Sequence, residues 1–560
     1  MIEYQAFYVQ KSPQAFDETL LTFGLASAIQ NLFGVDSDLT IMISDKGAYY
    51  EILLNLPLTE AIILAGINTL MPARALATNK TNLPVGIPSD HYETIRDNVK
   101  SFYEARKKGN EDVAFPPEPW DVYRAINPSA LAGYNKLMSQ WFMVRENAEA
   151  LIILLDLYAS FPNDFDTAIG DWKTLDKAHN WGIKAEATRQ SLYNPDSGKG
   201  QNKSKADGLS IGNVSSFWLS EWLKALGFYE VALTKQLKGS KDRKTLVLAP
   251  RQFTFEQHQA LMSEFKMAMQ ASETSIRFDV LASIRYMRLL LSHYIERISK
   301  RRRIRKPKQE LVSGFHTAFY KDMGNAVATM NLSFIALPGW VVIEMAEDVP
   351  IYEEALQELE GVVHQFDESH SDDAHLLQHL RDFVSGDELR PFLKFTTAYA
   401  SYYMRKRERG YAITLSSEFI ERIITIMGKK LSHLADRNIN KGFHNIAAAI
   451  ATVTVWAQYN SKTTPYKVRY GLHRELARQA QTPEKFAKAI HEFIHSYNAE
   501  TMRAKELGKP SVGQVISPAD IDNLLTIIDD FGKDSQLVAE ILLAYGSTFS
   551  KFVYTQKETN

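Results

Sequence analysis

The sequence predicts an α+β protein. We expect an N-terminal mixed α/β region with small antiparallel hairpins and a C-terminal all-α helical bundle. Residues 1–60 alternate between strand and helix patterns, the chain becomes mostly helical from about Phe255, and strand patterns are nearly absent after residue 345. We therefore predict two domains, 1–345 and 346–560.

Composition places the chain among globular proteins without disulfides. Of its 560 residues, 45% are hydrophobic and 23% are charged, the net charge is −2, and there are no cysteines. Cysteine-based zinc, iron–sulfur and thiolate sites are therefore excluded. The N-terminus lacks a basic segment followed by an apolar one, and no run of about 18 apolar residues appears, so we expect a cytoplasmic protein with no membrane partner.

Residues 1–157 predict strands and helices in turn. Alternating apolar residues indicate strands, spacings of three and four indicate helices, and Asp45-Lys46-Gly47 indicates a hairpin turn. The expected elements are a strand at Ile2–Val9, a helix at Thr19–Phe33 ending near Gly34, a hairpin of Leu39–Ser44 and Ala48–Leu54, and helices at Leu58–Leu70, Asp90–Lys108 and Leu131–Leu157.

A long polar loop is predicted at residues 194–213, which show no apolar periodicity before Leu209. Loops of this length inside a domain are usually functional or disordered. An aromatic helix follows from Phe217 and is expected to stop at Gly227. Phe228–Leu237 and Thr245–Pro250 then predict a second hairpin, whose tip at residues 238–244 is basic.

The charge changes sign in the middle of the chain. A long helix is expected to end in Arg297–Lys308, where eight of twelve residues are basic and none is acidic. Residues 311–343 hold a mixed apolar segment interrupted by Pro338-Gly339. Glu344–Glu388 then contains fourteen acids and one base, Arg381. This contrast marks the predicted domain boundary.

Residues Asn438–Glu500 predict three consecutive helical segments. The first ends at Asn460–Pro465, because proline cannot continue the helical hydrogen bonds, and the third opens at Thr482-Pro483. Between Lys429 and Arg478, nine Lys or Arg residues accompany only two acids. A basic, tyrosine-bearing surface on packed helices suits the binding of a polyanion. An ordinary solvated helix face has the same composition, so both interpretations stay open.

Two hydrolase motifs match this sequence by letter. Gly208-Leu209-Ser210-Ile211-Gly212 has the form of a nucleophile elbow, but a polar loop precedes it where that motif requires a buried strand. His491-Glu492-Phe493-Ile494-His495 is an H-E-x-x-H sequence, which places two imidazoles on one helix face for Zn²⁺. A helical projection puts both histidines on a polar face, and no further histidine follows to complete the site.

A zinc metallopeptidase using His491, Glu492 and His495 is therefore kept as an alternative function. A second alternative is a helical scaffold that binds only proteins. The histidines between His364 and His379 lie among acids, and a solvated acidic connection explains them more simply than a metal site. We otherwise expect no catalytic residue, no metal and no cofactor, and hence no enzyme.

Distributed positive charge remains as the functional signal. Basic residues cluster in the 194–213 loop, at the second hairpin tip, in Arg297–Lys308 and in Lys429–Arg478. Such clusters bind phosphates without reading sequence, whereas loop side chains such as Asn202 and Asn213 can reach base edges in a groove. Four clusters in a nearly neutral chain favour a nucleic-acid partner.

Four stretches of the sequence resemble a known family. They are Trp120–Pro128 (WDVYRAINP), Asn213–Gly227 (NVSSFWLSEWLKALG), and Val468–Leu476 (VRYGLHREL) with Phe493–Glu500 (FIHSYNAE). Together they resemble the large subunit of type I CRISPR effector (Cascade) complexes, particularly the I-B-like branch. None of these stretches is a catalytic signature.

The resemblance implies a non-enzymatic subunit for antiviral defence. Its N-terminal region would read the protospacer-adjacent motif in duplex DNA, and its bundle would support the displaced strand and the heteroduplex, like a small subunit. The implied partners are a guide RNA, target DNA, repeated backbone subunits, small subunits, and a recruited helicase-nuclease or transposition machinery.

Residues for these contacts are chosen by their chemistry, because the motif-reading loops vary within the family. For the motif-proximal duplex we predict Lys199, Asn202, Lys203, Lys205, Asn213, Lys238, Lys241 and Arg243. For the strand backbones we predict Arg301, Arg302, Arg303, Arg305, Lys306, Lys462, Lys467, Arg469 and Arg474.

Overall fold

The computed structural model describes residues 3–11, 16–34, 37–71, 73–79, 81–110, 128–197, 214–271, 273–294, 296, 299, 303–324, 327–410, 415–427, 431–509 and 512–548. The chain forms two compact units. The mixed unit comprises Met1–Ser275 and His293–Leu337, and the helical unit comprises Ile276–Ser292 and Pro338–Asn560. The change at Leu337 lies a few residues before the predicted boundary, and nothing in the sequence indicated that Ile276–Ser292 belongs to the second unit.

Strands and helices alternate through much of the chain up to residue 337, and the strands β11 and β12 correct the prediction that the chain is mostly helical from about Phe255. The strands are β1 (Glu3–Gln10), β2 (Ile41–Asp45), β3 (Tyr49–Thr59), β4 (Ala75–Ala77), β5 (Ser89–His91), β6 (Glu186–Thr188), β7 (Ser215–Phe217), β8 (Ala232–Gln236), β9 (Arg243–Pro250), β10 (Gln252–Thr254), β11 (Val312–Asp322) and β12 (Val327–Ala336). The helices are α1 (Asp17–Phe33), α2 (Glu60–Gly66), α3 (Tyr92–Lys107), α4 (Pro128–Val144), α5 (Ala148–Ala159), α6 (Phe165–His179), α7 (Trp218–Val231), α8 (Phe255–Ala268), α9 (Ser275–Ser292) and α10 (Pro307–Glu310).

Two four-stranded antiparallel sheets form most of the strand content of the mixed unit, in the orders β1-β3-β2-β10 and β12-β11-β9-β8. Two smaller sheets pair β4 with β5 in parallel and β6 with β7 antiparallel. The predicted β2–β3 hairpin is confirmed. Its turn is closed by Gly47, which has a φ of 85° and donates its amide to Asp45 Oδ1 at 2.9 Å. Small antiparallel sheets before a helical C-terminal half confirm the predicted α+β class.

The crossing of α1 and α7 is the tightest contact in the mixed unit. A Cβ atom at Gly227 would lie 1.7 Å from the Leu20 carbonyl oxygen, and one at Gly24 would lie 2.0 Å from the Leu223 carbonyl oxygen. The two backbones therefore touch at these glycines. The prediction that the aromatic helix stops at Gly227 was wrong, because this glycine serves the crossing and α7 continues to Val231.

One predicted helix and one apolar segment need correction. The helix expected over Leu131–Leu157 is two helices, α4 and α5, because Asn147 caps α5 by accepting the Glu149 amide at 2.8 Å. The segment after residue 311 is a second long hairpin, β11–β12, which the sequence analysis did not identify. The second predicted hairpin is present as β8–β9.

The long basic helix is also corrected. Helix α9 ends at Ser292, and the described residues of the basic run between it and α10 are not helical. Charged side chains of the run repel one another on a helix, and Pro307 begins a new helix at its far end.

The helical unit contains no strand among its described residues. After α9 its helices are α11 (Asp348–Val363), α12 (Ser371–Ser385), α13 (Arg390–Arg409), α14 (Ser417–Met427), α15 (Ser432–Ala435), α16 (Lys441–Val453), α17 (Val455–Tyr459), α18 (Leu472–Gln479), α19 (Pro483–Glu506), α20 (Pro518–Phe531) and α21 (Ser535–Tyr545). The three predicted segments of Asn438–Glu500 are present, with the first broken at Thr454 and the second helical only from Leu472.

Ion pairs explain why Ile276–Ser292 belongs to the helical unit. Glu360 accepts from Arg285 at 2.7 Å and from Arg288 at 2.6 Å, and Glu368 accepts the backbone amides of Ile276 and Arg277 at 2.8 and 3.1 Å. These two acids come from the acidic Glu344–Glu388 stretch. Some acidic side chains of this stretch therefore bind α9, and the stretch is not only a solvated connection.

Candidate nucleic-acid interface

A turn between α17 and α18 gathers positive side chains on the surface of the helical unit. The amides of Thr463 and Thr464 donate to the Asn460 carbonyl at 2.9 and 2.8 Å, which closes the turn after α17. Lys462 and Lys467 are exposed on this segment. Neither has an ion-pair partner within the part of the chain that the structure describes.

Two exposed tyrosines flank these lysines in the sequence. Arg407, near the end of α13, stacks over the ring of Tyr459 with 4.9 Å between its guanidinium carbon and the ring centroid. The Tyr470 hydroxyl donates to Glu408 and Gln458, which are the sequence neighbours of Arg407 and Tyr459. Tyr459 is 49% exposed and Tyr470 is 47% exposed. Arg407, Tyr459, Lys462, Lys467 and Tyr470 are called the basic–tyrosine surface below.

Arg469 has a different role from that of its neighbours. Its guanidinium donates to Glu500 Oε2 and to Ser496 Oγ, each at 3.0 Å, and stacks over Phe493 at 5.5 Å. Glu500 also accepts the Lys467 amide at 2.8 Å. The charge of Arg469 is thus compensated within the protein, and this residue fastens the turn to α19.

The arrangement of the basic–tyrosine surface suits an unpaired strand. Exposed aromatic rings stack on bases of any sequence, and lysines next to them follow the phosphates. The guanidinium over Tyr459 adds a cation to the same face. Sequence analysis missed Arg407, although the basic run Arg405–Arg409 could have drawn attention to the end of α13.

The loop predicted to meet duplex DNA falls on residues that are not described. Lys199, Asn202, Lys203, Lys205 and Asn213 all lie outside the described residues, as do Arg301 and Arg302. The described residues on either side of 198–213 are held by one carboxylate. Glu221 accepts from Asn194 at 2.8 Å and from Ser216 at 2.7 Å.

Glu221 belongs to a buried network of charges in the mixed unit. Lys224 donates to Asp17 at 2.8 Å, to Glu221 at 3.0 Å and to Asn194 at 2.6 Å, and Arg189 donates to Asp17 at 3.2 Å. Burial alone would raise the pKa of the Asp17 carboxyl, but Lys224 and Arg189 bring it below its usual range. The network therefore ties the described residues on either side of 198–213 to α1 and α7 through buried hydrogen bonds and ion pairs.

The tip of the β8–β9 hairpin presents two lysines. Lys238 and Lys241 are exposed there, and the turn is closed by the Leu237 amide on the Asp242 carbonyl at 2.9 Å. Arg243 is half-buried at the start of β9, and burial lowers the pKa of its guanidinium. Of the three predicted residues, the two lysines are therefore the ones that present their charge to solvent.

The described part of the basic run is an exposed connection. Arg303, Arg305 and Lys306 are all exposed. The amides of Arg305 and Lys306 each donate to Glu310 Oε1 at 2.9 Å, which fixes the backbone next to α10. This geometry leaves the three side chains on the surface of the mixed unit.

The H-E-x-x-H sequence lies on α19 with its polar residues outward. Phe486, Ile490, Phe493 and Tyr497 are buried, as the helical projection predicted, and His491, Glu492 and His495 are exposed. Glu492 lies 3.9 Å from Lys488. Within the described residues no group of three His, Asp or Glu side chains is placed to hold a metal ion.

Comparison with known proteins gives no family assignment, because no family model and no curated protein matches this chain. None of the helices in the described ranges is long and apolar enough to cross a membrane.

Proposed function

We propose that this chain is the non-catalytic large subunit of an RNA-guided DNA-targeting CRISPR complex. It would recognise the protospacer-adjacent motif in duplex DNA and stabilise the R-loop. The sequence resemblance suggests this function, and the basic–tyrosine surface is the observation that supports it most directly. An R-loop contains a displaced single strand, and exposed tyrosines beside unpaired lysines form the type of surface that binds one.

The two units suit the two parts of this task. The mixed unit carries Lys238 and Lys241 on an exposed hairpin tip, which suits phosphate contacts that position a duplex. The helical unit carries the basic–tyrosine surface. In RNA-guided systems base pairing supplies sequence specificity, so protein contacts to strand backbones need charge rather than a catalytic group.

The proposal is tested by charge reversal on the basic–tyrosine surface. The double variant Lys462→Glu with Lys467→Glu should weaken binding of fluorescent single-stranded DNA to the full-length protein, measured by anisotropy. If each lysine contacts one phosphate, the slope of log affinity against log salt falls by about 1.4, since each contact with a single strand contributes about 0.7. Tyr459→Ala should weaken binding without changing this slope.

A matched control separates a local effect from a change in net charge. Lys485→Glu with Lys488→Glu makes the same charge change on exposed positions of α19, away from the turn. This control should retain most of the affinity. Equal losses in both double variants, or no loss in either, would contradict strand binding by the basic–tyrosine surface.

A further inference from the structure

A cleft of about 430 Å³ opens on the surface of the helical unit where α12, α13, α18 and α21 meet. Its volume lies within the usual range of small-ligand sites. Leu376, Ala398 and Ala477 provide apolar lining, and Thr397 and Ser401 provide hydroxyl groups. The cleft thus combines an apolar wall with polar groups, as a nucleotide requires.

Positive charge exceeds negative charge around this cleft. Of its lining acids, Asp372 is paired with Arg405 at 3.0 Å, and Glu540 lies 3.4 Å from Arg390. The lining cations Lys394 and Arg474 have no ion pair within the described residues. Lys394 and Arg474 therefore face the same space without an ion-pair partner of their own among the described residues, although Lys394 also interacts electrostatically with Glu540. An anionic ligand would give both cations a direct partner.

A pair of histidines lies in the wall of the cleft. His375 and His379 lie one turn apart on α12, with 4.5 Å between their ring centroids. Burial lowers the pKa of His379, as do His375 and Lys394, whereas Asp382 opposes the shift. Protonating this imidazole is therefore disfavoured by its surroundings, and an anion bound beside it would make protonation easier.

We propose that this cleft binds the phosphate group of a nucleotide, held by Lys394 and Arg474, with the His375–His379 pair beside it. This site is different from the basic–tyrosine surface, and its ligand need not be a strand. A free nucleotide and one nucleotide within a strand have the same phosphate chemistry. Leu376, Ala398 and Ala477 would contact the base or sugar. Arg474, predicted from sequence as a backbone contact, lies in this cleft rather than on the basic–tyrosine surface as defined above.

The test measures binding of fluorescent nucleotides to the full-length protein by anisotropy. A mononucleotide and a dinucleotide phosphodiester are compared with the matching nucleoside. Lys394→Gln with Arg474→Gln should weaken phosphate-bearing probes by about tenfold or more, since hydrogen bonds to charged groups are strong. Arg478→Gln, on the same helix but outside the lining, should leave affinity unchanged. If the mononucleotide binds more tightly than the dinucleotide, the ligand of the cleft is a free nucleotide. If the dinucleotide binds equally or more tightly, the ligand is part of a strand.

The pH dependence provides a second readout. A phosphodiester keeps one negative charge between about pH 7.5 and about pH 5.5, so any gain in affinity comes from the protein. The wild type should bind the dinucleotide more tightly as pH falls over this range, and His375→Gln with His379→Gln should bind with little pH dependence. The proposal would be overturned if the nucleoside bound as tightly as the nucleotide, or if the Lys394/Arg474 variant kept full affinity. It would also be overturned if binding to the wild type did not depend on pH.

Discussion

Replacing Gly227 by alanine tests the crossing of α1 and α7. The new methyl group would lie 1.7 Å from the Leu20 carbonyl oxygen and 2.9 Å from the Gly24 nitrogen. Both neighbours are backbone atoms of a buried helix, so no side chain can turn away and the helices must separate. Forced separation of a packed core costs about 1–3 kcal/mol and occasionally more. We expect the upper end of this range, because every residue from Trp218 to Phe228 is buried.

Gly170→Ala is the matched control. Gly170 lies inside α6, is exposed, and has no atom within 4 Å of the position of a new Cβ. Alanine should stabilise the protein there by roughly 0.5–1 kcal/mol, because glycine loses more backbone entropy in a helix. The two variants should therefore shift stability in opposite directions.

Urea unfolding followed by tryptophan fluorescence measures both effects. Trp141 and Trp222 stack with ring centroids 4.1 Å apart, and Trp222 lies on α7 beside the crossing. Six of the eight tryptophans lie before residue 337, so the signal reports mainly on the mixed unit. If Gly227→Ala is as stable as the wild type, or as stable as Gly170→Ala, the close contact of the two helices is refuted.

Two further predictions concern buried charge. Lys224→Met should destabilise the mixed unit by about 3–5 kcal/mol, because it leaves Glu221 buried without its cation and leaves Asp17 with Arg189 alone. Adding Glu221→Gln should recover part of this loss in the same urea titration. His473 is fully buried, and burial lowers its pKa from 6.5 to about 4. As the pH is lowered from about 6.5 to about 4, the unfolded chain therefore takes up a proton at this imidazole that the native chain does not. The free energy of unfolding falls by about 3 kcal/mol over this range because of this group. His473→Gln should lose less stability than the wild type over that range, and equal losses would contradict the assignment.

Local patterns were sufficient for much of the fold. The β2–β3 hairpin follows from a glycine turn between alternating strands, and α1 follows from its apolar spacing and its end at Gly34. Gly227 shows the limit of such rules. A glycine after an aromatic helix resembles a helix end, and only the partner helix about 200 residues earlier in the chain explains why it lies inside one.

Contacts between residues that are far apart in the sequence likewise determine which side chains belong to the candidate site. The sequence supplied the charges of Lys462, Lys467 and Arg469, but not that Arg469 is paired with Glu500. It also gave no sign that Arg407 would lie over Tyr459, because the two residues belong to different helices that meet only in the folded unit. Charge runs predict where positive side chains occur, whereas tertiary contacts decide which of them remain available.

Sequencing of any RNA that co-purifies with the protein is the most direct test of its proposed role. The tagged chain, expressed with the genes that neighbour its own, is purified and its nucleic acid is sequenced. The proposal predicts short RNAs with a common repeat-derived end and variable guide segments, together with several copies of a backbone subunit. Purification of the chain with its neighbours but without RNA would contradict the proposal.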